Sequence, residues 1–111
     1  MNTRILRIYI AGPMTGLPAL NYPAFHAEAA RLRAADFEVY NPADNPRPPC
    51  GTWAGYMRMA LRQISQCDAV SFLPGWNRSR GARLEHQIAL ELGLCVIYHE
   101  PPSPSDPTQP A

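Results

Sequence analysis

Asp68-Ala-Val-Ser-Phe-Leu-Pro-Gly-Trp-Asn-Arg-Ser-Arg-Gly-Ala-Arg-Leu-Glu85 passes from an apolar run through a Gly/Ser/Arg loop into a segment of helical pattern. Asp68 to Leu73 reads as a buried strand, and Leu84, Ile88 and Leu92 then recur at i, i+4 and i+8, the spacing of one helix face. Such a strand, loop and helix make up half of a βαβ unit. The N–H groups and aligned peptide dipoles at the helix start favour an anion, and Arg78, Arg80 and Arg83 add positive field. If the helix begins near Arg80, Glu85 lies on its second turn. Helical side chains lean toward the N-terminus, so its carboxylate points back over the small residues Gly81 and Ala82. The bland alternative is a solvated surface acid on an amphipathic helix.

The rest of the chain repeats this alternation. Ile5 to Ala11 is a β-branched apolar strand ended by Gly12-Pro13. From Asn21, a candidate cap, Tyr22, Phe25, Ala29 and Leu32 fall at helical spacing, with Pro23 in the first turn. That helix is expected to run to about Ala35. Phe37 to Asn41 alternates with period two and stops at Pro42. The stretch from Pro42 to Gly51 holds four prolines and is expected to be a loop, long enough to be functional. Thr52 can cap a second helix with Trp53, Met57, Leu61 and Ile64 as its stripe. After the third helix Gly93 is a C′ residue, and Leu94 to Tyr98 forms the fourth strand. One domain over residues 1–99 is expected, followed by a Pro-rich, disordered tail over residues 100–111.

Strands alternating with helices predict an α/β fold: a parallel sheet with helices on both faces. In a 2-1-3-4 order, the loop Gly12-Pro13-Met14-Thr15-Gly16 and the loop Pro74 to Gly81 are neighbours at the carboxyl ends of the strands, where such sheets bind ligands.

Composition narrows the function classes. A chain of 111 residues with formal charge +1 is long enough for one core and too weakly basic for a general binder of polymeric nucleic acid. Any anion site must be local. Cys50, Cys67 and Cys95 show neither a disulfide framework nor a zinc spacing, and Cys67 and Cys95, bordering apolar runs, are expected to be buried thiols. His26, His86 and His99 lack ligand spacing, so neither a metal nor a cofactor is expected. No apolar run is long enough to span a bilayer, and the Met-Asn-Thr-Arg start has no signal-peptide pattern, so a cytoplasmic protein without membrane partners is expected.

Among single residues, Tyr9 sits inside the first strand as a core aromatic whose hydroxyl needs a partner. Asp68 opens the third strand, where an acid is usually a turn residue and lies far from the carboxyl ends. Trp76 is expected to be exposed on its loop, as a binding or subunit surface.

Taken together, Tyr9-Ile-Ala-Gly12-Pro-Met-Thr-Gly16, Tyr22-Pro-Ala-Phe25, Asn41-Pro42, Cys67-Asp68, Leu73-Pro-Gly-Trp76 and Ser79-Arg-Gly-Ala-Arg-Leu-Glu85 resemble an uncharacterised bacterial and phage family of the nucleoside 2-deoxyribosyltransferase-like superfamily. The resemblance runs from Ile5 to Tyr98. It implies a flavodoxin-like three-layer sandwich with four to five parallel strands, order 2-1-3-4 with an optional fifth. It also implies cleavage or transfer at the N-glycosidic bond of a nucleoside or nucleoside 5′-monophosphate. By that resemblance Glu85 is the nucleophile that forms a covalent glycosyl ester, Tyr9 orients it, and Asp68 serves the sugar or the departing base. Substrate would be bound by Gly12, Pro13, Met14, Thr15, Gly16, Trp76, Ser79, Arg80 and Gly81, with Ser79 and Gly81 at the phosphate. The first loop lacks an arginine that some nucleotide glycosidases place there. The resemblance further implies a homodimer or larger homo-oligomer. The chemistry needs an ionised Glu85, which the helix start and nearby arginines are expected to favour. A non-catalytic nucleotide-binding module of the same fold is the alternative. A third reading is an interaction protein built around Trp76 and the Pro-rich loop.

Overall fold

A computed structural model describes residues 5–99; the tail expected over 100–111 lies outside them. Four parallel strands form one sheet in the order β2-β1-β3-β4. In chain order the elements are β1 (Arg7–Ala11), α1 (Tyr22–Ala34), β2 (Glu38–Tyr40), α2 (Trp53–Ile64), β3 (Ala69–Phe72), α3 (Arg80–Glu91) and β4 (Cys95–Tyr98). This is the flavodoxin-like α/β arrangement.

Period-two alternation in the central strands divides the core. Ile8, Ile10, Ala69 and Leu73 face α1 and pack on Phe25, Ala29 and Leu32. Tyr9, Ala11, Val70 and Phe72 face the other way, against Ala60 and Ile64 of α2 and Ala89 of α3. The two central strands are buried on both faces, as expected of a parallel sheet whose crossovers cover it.

Helix ends follow local chemistry at two of the three starts. Thr52 accepts a hydrogen bond from the Gly55 N–H (3.1 Å) and Ser79 accepts from the Ala82 N–H (3.2 Å). At the third, the sequence expectation fails: Asn21 makes no side-chain cap and lies in the left-handed region at φ 60°. Its amide instead donates to the Pro13 carbonyl at 2.9 Å, tying the loop before α1 back onto the end of β1. Ala19 and Leu20 share the left-handed conformation, at φ 52° each. Such a run of non-glycine residues costs about 1 kcal/mol or more per residue and is held here by that tie.

The buried stripes of α2 and α3 differ from those predicted. On α3 the buried residues are Ala82, Glu85 and Ala89, while Leu92 is 53% exposed. Small residues let α3 lie close to the sheet and turn Glu85 into the buried face. On α2 the stripe is Met57, Ala60 and Ile64, which leaves Trp53 partly exposed at the helix start. Cys67 is buried, as expected, but Cys95 is exposed because it opens the edge strand β4. Among the described residues no helix is long and apolar enough to cross a membrane.

Candidate functional site

The order of the strands sets β1 beside β3, so the loops that leave their carboxyl ends meet. They meet closely. A Cβ on Gly12 would stand 2.9 Å from the Leu73 Cβ, and one on Gly75 would stand 3.3 Å from the Pro13 Cγ. Gly75 is also at φ 86°, a conformation that side chains resist. Both glycines are therefore required for this approach of the two loops.

Next to that junction opens a cavity of about 770 Å³. Its floor carries Tyr9, Met57, Ala60, Ala82 and Glu85, and the loop residues Gly12 to Thr15 and Arg78 to Gly81 form adjoining walls. Leu20, Tyr22, Trp53 and Tyr56 add apolar and aromatic surface, and Asn45 and Arg47 come from the Pro-rich loop. A mostly apolar hollow with a few placed polar groups is the usual form of a small-molecule site.

Two residues 76 positions apart meet at its base: the Tyr9 hydroxyl donates to Glu85 Oε2 at 2.9 Å. Tyr9 is buried by the sheet and Glu85 is only 7% exposed. Burial pushes the Glu85 carboxyl up to about 8, against the downward pull of the Tyr9 hydrogen bond. This runs against the expectation of a carboxylate kept ionised by the helix start and nearby arginines, because removal from water dominates at this position. Burial, and then the adjacent Glu85, hold the Tyr9 hydroxyl well above its ordinary range, so it stays a donor.

The charges around the cavity are unequal. Its acidic and basic lining residues are Glu85 with Arg47, Arg78 and Arg80. The Arg80 guanidinium lies 3.6 Å from the centroid of the Trp53 ring, a stacking that bridges the starts of α3 and α2. Arg83 does not line the cavity; it points to the Asn77 carbonyl at 3.4 Å.

Of the residues singled out in the sequence, Tyr9, Gly12, Pro13, Met14, Thr15, Ser79, Arg80, Gly81 and Glu85 come together here. Asp68, Gly16 and Trp76 are not among the lining residues. Asp68 stands at the amino end of β3, where its Oδ2 accepts from the Arg7 N–H at 2.8 Å. Trp76 is half-buried rather than exposed, packed on Phe72 and tilted against His86 with ring centroids 4.3 Å apart; His86 also lies 2.6 Å from the Tyr98 hydroxyl. Arg47, Asn45, Trp53 and Tyr56 were not singled out as site residues. Their signal was only the length of the Pro-rich loop and the aromatic content of the following helix start.

A second buried carboxylate occupies the opposite face of the sheet. Glu28 on α1 accepts from Arg31 at 2.9 and 2.7 Å and from the Ser71 hydroxyl at 2.9 Å. His99 Nε2 lies 2.9 Å from the same oxygen and 2.8 Å from Ser71 Oγ. Since the Ser71 proton goes to Glu28, His99 must be the donor to both. Burial raises the Glu28 pKa, but the Arg31 and Ser71 hydrogen bonds and the His99 field together overcome it and hold the carboxyl below its ordinary value. Among the described residues no group of three or more His, Cys, Asp or Glu side chains is placed to hold a metal ion.

The family profile described as a domain of unknown function, DUF4406, matches residues 6–98, and the chain belongs to that family. No curated protein matches it.

Proposed function

Starting from a member of an uncharacterised family with this cavity, we propose that the protein cleaves or transfers across the N-glycosidic bond of a nucleoside or nucleoside 5′-monophosphate. One observation carries the reading: a buried Tyr9–Glu85 pair forms the floor of a hollow whose remaining charges are all arginines. Bond cleavage at an anomeric carbon passes through a cation-like state, and a carboxylate in a dry site stabilises such a charge strongly. In the proposed first half, the C1′–N bond breaks with its electron pair leaving on the base, which takes a proton from water. Ionised Glu85 then bonds to C1′ as an ester. In the second half, water or an acceptor base displaces Glu85 from C1′ and restores the carboxylate. Tyr9 holds the second carboxylate oxygen in place throughout. The α3 start at Arg80 and Gly81 supplies N–H groups for an anionic or hydroxyl-bearing part of the substrate. Asp68 has no step in this scheme, because it lies at the other end of the strands.

The raised Glu85 pKa favours a second reading, a nucleotide-binding module without turnover, since much of the carboxyl is protonated at neutral pH. One experiment separates the two. Incubation with a panel of nucleosides and 5′-monophosphates, read for free base by chromatography, should show release by the native protein and none by Glu85→Ala. Stable binding of intact nucleotide without release would establish the second reading, and equal release by Glu85→Ala would exclude Glu85 as nucleophile.

A further inference from the structure

The three cavity arginines stand on two different loops. Arg78 and Arg80 flank Ser79 after β3, whereas Arg47 comes from the Pro-rich loop between β2 and α2. That loop is fixed at several points. Asn45 and Gln63 exchange two amide hydrogen bonds, 3.1 and 3.0 Å, which pin it to α2. Further along, Cys50 Sγ lies 3.0 Å from Thr52 Oγ1, the atom that caps α2. Between these anchors the Arg47 guanidinium rests against Gly51. A Cβ at that position would come within 2.8 Å of Nη2, and the backbone there, at φ 63°, also favours glycine.

Arg7, Arg31 and Arg33 each stand within 4 Å of a carboxylate, whereas no such ion pair is formed by Arg47 among the described residues. A guanidinium fork seated in a braced loop at the edge of a cavity, with its donors unmatched by a protein acid, suits a planar or tetrahedral oxyanion. On the α3 side the Ser79 hydroxyl oxygen accepts from Ala82, which leaves its proton to donate. Arg47 and Ser79 both line the same cavity.

We propose that Arg47 is a specificity-determining residue that binds the terminal phosphate of the substrate, so that the site selects a nucleoside 5′-monophosphate over the free nucleoside. This rests on the reading of the cavity as a nucleoside or nucleotide site. It does not depend on turnover.

Binding is measured by calorimetry in a Glu85→Gln background, which prevents consumption of ligand, with deoxyadenosine 5′-monophosphate, deoxyadenosine and inorganic phosphate. Adding Arg47→Ala should weaken the monophosphate and inorganic phosphate by roughly 10-fold to 100-fold while leaving the nucleoside within about twofold. Arg47→Lys should recover part of the loss, because it restores charge but not the fork. Unchanged monophosphate affinity in Arg47→Ala, an equal loss for nucleoside and monophosphate, or binding of neither ligand by the parent would overturn the proposal. If Arg47 governs phosphate affinity but the native protein releases no base, this assignment stands and the glycosidase reading falls. If base is released from the monophosphate with the same KM in Arg47→Ala, the reverse holds.

Discussion

Glu85 and Glu28 sit on opposite faces of one sheet, each on a helix and each 7% exposed, yet their surroundings are opposite. Glu28 has Arg31, Ser71 and His99 around it and is held below the ordinary carboxyl range. Among the described residues Glu85 has one neutral donor, Tyr9, and burial pushes it up to about 8. Equal exposure therefore does not set the charge of a carboxyl; how deeply it is sunk from water and how many donors surround it do. Surrounded by donors, the Glu28 oxygens are engaged within the fold and hold α1 to β3 and the residue after β4. Glu85 keeps an oxygen for something else, and it faces a cavity. Tyr9 and Ser71 share this contrast, since adjacent central strands send one hydroxyl to each acid.

Exchanging each acid for its amide is the sharpest way to break the comparison. Glu85→Gln should lower kcat/KM for base release by roughly 10⁴-fold or more, as loss of a nucleophile does. Glu28→Gln should change it by less than about threefold, since that residue lies across the sheet from the cavity. Comparable losses in both would mean that the two sites are not distinct. The pH dependence sharpens the contrast further. With the ionised acid as the reactive form, kcat/KM should rise roughly tenfold per pH unit below about 8 and then level off. Tyr9→Phe removes the one interaction that lowers the Glu85 pKa, so the same limb should move to higher pH; a profile flat from pH 6 to 9 in the native protein would contradict this.

Stability should divide the other way. Glu28→Ala leaves Ser71 and His99 without their acceptor and should cost about 2 kcal/mol, a fall in Tm on the order of 10 °C by thermal melting. The two acids also bring opposite pH slopes. Glu85 binds its proton more tightly when folded, so its contribution is complete below the ordinary value of 4.5 and is lost as pH rises through about 8. Glu85→Gln should therefore melt higher than the native protein at pH 8.5 and much less so at pH 5. Glu28 binds its proton less tightly when folded, so its contribution is present above the ordinary value and is lost as pH falls through the lowered one. Glu28→Gln should accordingly flatten the acid side of the Tm profile. The smallest effect is at Asp68. Asp68→Ala removes the acceptor of the Arg7 N–H and should cost about 1 kcal/mol, with base release almost unchanged. A loss of activity there comparable to that of Glu85→Gln would return Asp68 to the reaction.

Much of this architecture is legible from local patterns, because apolar runs, prolines and caps act over a few residues. The alternation of strands and helices, the Thr52 cap and the Gly93 helix end follow from such signals, whereas the 2-1-3-4 order and the meeting of the two loops that depends on it come with the family resemblance. What escapes is set by long-range packing. Asn21 looks like a helix cap, but its backbone lies in the left-handed region, outside the usual cap geometry, and its amide nitrogen is turned to the Pro13 carbonyl. Leu84, Ile88 and Leu92 suggest a buried stripe, yet Ala82 and Ala89 allow α3 to approach the sheet with Glu85 between them. That spacing of two alanines around an acid was the available sign. Burial of Glu85 then reverses the expected direction of its titration, which no count of neighbouring arginines along the chain can show. Arg47 and Trp53 reach the cavity only through the path of a ten-residue loop, and loop paths have no short-range code.

The central claim is that Glu85 bonds to the sugar. Incubation with a 2′-fluoro nucleoside 5′-monophosphate, which slows release of a glycosyl ester, followed by denaturation and peptide mass mapping, tests it directly. The account predicts a mass increase equal to the fluorinated sugar phosphate less one water on Glu85, within the tryptic peptide that begins at Leu84. Release of base with that peptide unmodified, or an adduct on another residue, would contradict it.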